Sequence, residues 1–137
     1  MIDKKKLIRA AIQAREYSYS PYSGYCVGAA LLTADGKIYT GCNVENAAYS
    51  PTNCAERTAF FKAVSEGERS FCAIAVVGSP KGALTQYAWP CGVCRQVMFE
   101  FCDPESFNVI TAVSEEVYEE RLLKELLPFG FGPDNVK

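Results

Sequence analysis

Cys54, Glu56, Cys91 and Cys94 are the residues best suited to chemistry in this sequence, because the chain contains no histidine. No Ser-His-Asp or Cys-His hydrolase can be built from it, and any transition-metal site must be rich in thiolate. Cys91 and Cys94 are three apart at the start of a predicted helix, so both thiols can face one point. Cys54 opens another helix that could bring a third. Three protein ligands leave one position of a zinc tetrahedron open, the pattern of a catalytic rather than a closed structural site. Glu56, in the same first turn as Cys54, is placed to touch a water held at that position. Three thiolates leave the ion with excess negative charge. Arg57 could draw it off by hydrogen bonding to sulfur, as could the positive ends of both helices. Gly92 is expected to let the backbone approach the cluster closely. A CxxC pair alone also serves as half of a structural zinc site or as a redox couple, and a fourth cysteine could close the site. The redox reading leaves Cys54 and Glu56 without a role.

The elements that must position these residues follow from periodicity. Leu7, Ile8, Ala11, Ile12 and Arg15 recur at helical spacing over Lys4–Tyr17. Tyr25–Thr33 and Lys37–Asn43 are β-prone runs joined by Ala34-Asp35-Gly36, and predict an antiparallel hairpin. Val44–Thr52 reads as a loop. Asn53 is expected to cap a helix running from Cys54 to Gly67. Phe71–Gly78 and Phe107–Val113 are near-continuous apolar runs that suit strands buried on both faces. Pro90 marks the start of a helix with Val93, Val97, Met98 and Phe101 on its buried stripe, ended by Asp103-Pro104, and Leu122–Leu127 predicts a last short helix. This order implies a three-layer α/β/α sandwich with a mixed central sheet, one domain over residues 1–137.

Composition narrows the partners. With 137 residues, 49% of them hydrophobic and 22% charged, the chain can build a core without staples. A net charge of -2 with scattered Lys and Arg offers no basic stripe for nucleic acid. No window approaches the roughly 18 apolar residues of a membrane span, so the expectation is a cytoplasmic protein with a small neutral ligand. Seven cysteines, an odd number, argue against a disulfide scaffold. Cys26, Cys42, Cys72 and Cys102 are expected to serve as small buried hydrophobes.

The paired motifs Cys54-Ala55-Glu56-Arg57 and Pro90-Cys91-Gly92-Val93-Cys94-Arg95-Gln96 resemble those of the zinc nucleoside and nucleotide deaminases. Pro21-Tyr22-Ser23, Val27-Gly28-Ala29-Ala30-Leu31-Leu32, the run Gly41–Ser50 and Glu125-Leu126-Leu127-Pro128 extend the resemblance to the small homotetrameric cytidine deaminases of pyrimidine salvage, over nearly the whole chain. The resemblance implies one zinc ion per subunit on Cys54, Cys91 and Cys94. It also implies attack of activated water at C4 of cytidine or deoxycytidine, with Glu56 carrying protons to N3 and to the departing ammonia. By the same resemblance Asn43 and Glu45 would hold the ribose 3′-hydroxyl, the Ala55 amide would face O2 of the base, and Tyr25 would stack on the pyrimidine where the family usually has Phe. Ala47, Tyr49 and Phe131 would reach the nucleoside of a neighbouring subunit.

Trp89, the chain's single tryptophan, stands where that family usually carries a small hydroxylated residue, and implies a narrowed or reshaped pocket entrance. The nearest rival is a deaminase of the same fold acting on an aminonucleoside antibiotic, free cytosine or a polynucleotide base. Asn43 and Glu45 favour a nucleoside sugar, and the lack of a basic channel disfavours a polynucleotide. A structural zinc module is the alternative from another class. It would need a fourth ligand and would leave Glu56 idle.

Overall fold

The computed structural model describes residues 2–137. The chain opens with helix α1 (Lys4–Arg15), whose Asp3 side chain accepts the Lys6 amide and so caps it. Leu7, Ile8 and Ala11 lie on one face of α1 and are buried. Strands β1 (Tyr25–Thr33) and β2 (Ile38–Cys42) form the expected antiparallel hairpin, turning at Gly36 with φ 93°. Then come helix α2 (Ala55–Ser65), strand β3 (Phe71–Pro80), helix α3 (Gly92–Phe101) and strand β4 (Asn108–Ala112).

The sheet order is β2-β1-β3-β4-β5, in which β3 and β4 are parallel and the other neighbours antiparallel. α1 covers one face, over Ala30, Ala75, Val77 and Ile110. α2 and α3 cover the other, over Leu31, Ile74, Val76 and Val109. Strands with helices on both faces are buried on both sides, which is why β3 and β4 read as unbroken apolar runs. Phe60 on α2 is fully buried against Phe71, Phe101 and Phe107 and pins that helix to the sheet.

Several expectations are corrected. Strand β5 (Tyr118–Leu122) pairs with β4 at the sheet edge, and the last helix, α4, is only Leu123–Leu126. Cys54 rather than Asn53 occupies the N-cap of α2, while the Asn53 carboxamide donates to the Thr58 hydroxyl. Val93 is exposed, and the buried stripe of α3 runs through Cys94 and Met98. A Cβ at Gly92 would meet nothing within 4 Å, so no close backbone approach explains that glycine. Of the four extra cysteines only Cys102 is buried; Cys26, Cys42 and Cys72 are half-buried.

Among the described residues, no helix is long and apolar enough to cross a membrane.

Candidate active site

Two helix N-termini meet at the carboxyl end of β3, where an open α/β sheet usually binds its ligand. Cys54 and Cys91 are the N-cap residues of α2 and α3. Neither uses its side chain to cap, so both thiols are free to turn toward one another. Cys94, one turn into α3, is 1% exposed and faces the same point. The three sulfurs lie within 4.8 Å of one another, and those of Cys54 and Cys91 are 3.9 Å apart. Tetrahedral zinc with bonds of about 2.3 Å separates its sulfurs by about 3.8 Å, so the donor set fits the ion in both chemistry and span. Among the described residues the donor cluster contains three thiols and not the four of a closed structural site.

The charge of that cluster is managed locally. The Cys54 thiol is pushed down to about 5, first by the hydrogen bond from Cys94 and then by Arg57, against the opposing effect of burial. Cys94 is pushed up in turn, because it keeps the proton that Cys54 gives up. Arg57 Nη2 donates to Cys54 Sγ at 3.2 Å, whereas Arg57 Nε is buried without any acceptor. An arginine held this way, with one donor spent on sulfur and another on nothing, serves the thiolates rather than a carboxylate. The helix ends add positive partial charge at the same place.

Glu56 is 4% exposed. Burial pushes its carboxyl up to about 7, and the negative charge on Cys54 adds to the effect. It opens into a cavity of roughly 310 Å³, a volume suited to a small organic ligand. Cys54, Ala55, Glu56 and Cys91 line its floor, together with the apolar Val27 and Val76. A depression of 350 Å³ between the start of α1 and the β1–β2 turn gathers no comparable cluster.

One wall of the cavity carries Tyr25, Asn43 and Glu45. Asn43 is committed to the fold on most of its atoms: its Oδ1 accepts from the Val27 amide at 2.9 Å and from the Ser18 hydroxyl, and its Nδ2 donates to the Tyr25 carbonyl at 2.8 Å. One N–H remains for a ligand. Glu45 accepts from the amides of Tyr22 and Ser23 and from the Ser23 hydroxyl. The Ser23 hydroxyl leads in holding its carboxyl below the usual range. The Tyr25 hydroxyl lies 3.0 Å from Gln86 Oε1 and 3.3 Å from the Gly78 carbonyl. Ala88 and Trp89 also line the cavity.

Eight of the predicted site residues therefore line one cavity, with the buried Cys94 and the half-buried Arg57 beside the thiols of its floor. Ala47, Tyr49 and Phe131 do not reach it within one chain. Tyr49 is exposed, its ring edge-on to Tyr22, and the Phe131 ring points outward while its carbonyl accepts from Gln96 Nε2. Ser23, Thr52 and Asn53 also line the cavity. Sequence reasoning missed the first two and gave Asn53 only to the helix; the one signal was the proximity of Ser23 to Tyr25.

Comparison with known proteins follows the same lines. Residues 1–110 match the family described as the cytidine and deoxycytidylate deaminase zinc-binding region. The chain is 51% identical to a cytidine deaminase of Sporosarcina psychrophila, covering 98% of this chain and 96% of that protein. It is 49% identical to one of Halalkalibacterium halodurans, covering 98% of each. Its fold is similar to the crystal structure of cytidine deaminase from Burkholderia pseudomallei, with a TM-score of 0.84 and 47% identity over 96% of this chain and 100% of that one. The corresponding protein of Mycobacterium tuberculosis gives a TM-score of 0.80 and 39% identity over 96% and 99%. A three-thiol cluster beside a buried glutamate, together with these likenesses over the length of the chain, identifies it as a member of the cytidine and deoxycytidylate deaminase family.

Proposed function

We propose that the protein hydrolyses cytidine and deoxycytidine to uridine and deoxyuridine with release of ammonia, with one zinc ion per subunit on Cys54, Cys91 and Cys94. The observation that carries this reading is Glu56, buried with its carboxyl pushed up to about 7 and sharing a cavity floor with Cys54 and Cys91. When bound, zinc supplies Lewis acidity that makes water nucleophilic near neutral pH. Glu56 would take the first proton of the attacking water and give it to N3 as the C4–O bond forms, then carry the proton of the new C4 hydroxyl to the amine as the C4–N bond breaks and ammonia leaves. A carboxyl whose affinity for protons matches neutral pH can do both.

The remaining roles belong to binding. The Ala55 amide, among the first of α2 and so without a partner in the helix, is available to O2 of the base. Tyr25 and Trp89 both line the cavity and supply the aromatic surface for the base. The free N–H of Asn43 and the ionised Glu45 serve the sugar hydroxyls. Arg57 acts through the thiolates, which makes it a positioning residue. A single catalytic domain spans residues 1–137, and we place the enzyme in the cytoplasm as a homotetramer whose sites are completed by Ala47, Tyr49 and Phe131 of neighbouring subunits.

The test is the ultraviolet absorbance of cytidine incubated with zinc-loaded protein. Steady loss of the aminopyrimidine chromophore is expected. Glu56→Ala should retain zinc while lowering kcat by at least about a hundredfold. No turnover by a demonstrably zinc-loaded protein would overturn the assignment.

A further inference from the structure

We propose that Thr111 and Arg121 are positioning residues. From the far edge of the sheet they set where the Ala88–Trp89 wall of the cavity stands, and so how tightly a base is gripped. The inference rests on reading the cavity as a nucleoside site. Thr111 lies on β4 beside Val76 of β3, on the same sheet face as Val109, and is fully buried. Its neighbours on that face are apolar, and a hydroxyl there needs a reason. The Thr111 Oγ1 accepts the Ala88 amide at 2.8 Å. Ala88 belongs to the irregular segment between β3 and α3, where no ladder would otherwise satisfy that amide.

Arg121, on β5, presents its guanidinium 5.8 Å from the centre of the Trp89 ring, within reach of a cation–π contact. The Glu120 carbonyl at 2.7 Å and the Glu119 carboxylate at 3.7 Å fix it there. The half-buried Trp89 side chain also packs on the core shared by α2 and α3. Trp89 is therefore held by both core and cation. The brace ends one residue later: Arg95 Nε donates to the Pro90 carbonyl at 2.6 Å and Arg95 Nη1 to the Leu126 carbonyl at 2.8 Å. A displaced Ala88–Trp89 wall need not move Cys91.

Trp89, the single tryptophan, reports its own position by fluorescence. Thr111→Val keeps the shape of the side chain and removes the acceptor. We expect it to raise KM for cytidine by about fivefold or more, to leave kcat and zinc content essentially unchanged, and to shift Trp89 emission to the red with easier quenching by acrylamide. Thr111→Ser should restore all of these. Arg121→Met should change KM and emission in the same direction but less, because that guanidinium is partly exposed. An unchanged KM and unchanged emission in Thr111→Val would overturn the proposal, as would parallel losses of zinc, kcat and thermal stability in both the Val and Ser variants. Should the wild-type enzyme fail to act on cytidine, the functional reading falls. The emission and quenching of the same variants would still decide whether Thr111 and Arg121 hold the wall.

Discussion

Glu56 and Cys54 face opposite demands within one helical turn. Burial favours the protonated form of Glu56, while Cys94 and Arg57 favour the thiolate of Cys54. In protein stripped of metal this has a readable consequence. Native Glu56 keeps its proton up to about pH 7, whereas an unfolded glutamate releases it near 4.5. Between those values the native state binds more protons, so this group's contribution to stability falls as pH rises, by about 3 kcal/mol in all. Gln cannot titrate. Thermal melts of chelator-treated Glu56→Gln and wild type should therefore nearly coincide below pH 5, with the variant gaining steadily up to pH 8; a gap that ignores pH would refute the buried-acid description. Cys54 allows a second measurement on the same material. At pH 6.5 it is a thiolate, while burial keeps Cys102 protonated, so brief iodoacetamide treatment should label Cys54 well ahead of Cys102 by peptide mass mapping. Zinc should protect it.

At the scale of elements, the site depends on how closely α2 lies on the hairpin. A Cβ on Gly41 of β2 would stand 2.5 Å from the Ala55 carbonyl and 2.6 Å from the Ala59 amide, both helix backbone that cannot step aside. Gly41→Ala must lift the first turn of α2, and Cys54 with it. We expect a loss of about 1–3 kcal/mol or more in denaturant unfolding, with weaker zinc retention against a chelator. Normal zinc affinity would show that the turn moves independently of its thiol. α4 offers the opposite sign: its N-cap is Leu122, which has no polar atom to offer, although Glu125 already reaches back to the Leu122 amide at 2.8 Å. Leu122→Thr should complete the capping box and stabilise by about 0.5–1 kcal/mol, less whatever apolar contact the half-buried leucine loses. Legibility divided along the same physical line. The helices that open at Cys54 and near Cys91 were readable because motif and helical period coincide there. β5 was not, since three of its five residues are charged, as suits an edge strand but not a propensity pattern. Trp89 was singled out by type; Val76, which lines the cavity, and Thr111, which holds the Ala88 amide behind it, were invisible because only the parallel pairing of β3 and β4 sets them side by side.

At the scale of the whole molecule, the described surface carries aromatics that one chain does not use. Its two non-glycine residues with positive φ are Tyr49 (63°) and Phe129 (56°), both exposed, and the exposed Phe131 follows close behind. A left-handed backbone costs a non-glycine residue roughly 1 kcal/mol or more, and within one chain the exposed rings return little beyond the edge-on contact of Tyr49 with Tyr22. A second copy that covers them would make the arrangement favourable, and in the homotetramer we propose Phe131 would cap a neighbour's cavity. Gly130 and Gly132 seat the tail: a Cβ on either would stand under 3 Å from the Phe99 ring, so the flanking backbone is pressed onto α3 while Phe131 itself projects. The tail is thus anchored at Phe99 while the Phe131 ring stays free for a partner. Phe131→Ala should leave the fold of the chain and its zinc content intact, shift the sedimentation profile toward smaller species, and raise KM for cytidine by about tenfold or more if the ring covers bound nucleoside. Dilution should act on wild type as the substitution does, lowering activity per site as the assembly dissociates. A wild-type chain that sediments as a monomer with full activity at every concentration would mean that each cavity is complete by itself and that the exposed rings serve some other surface.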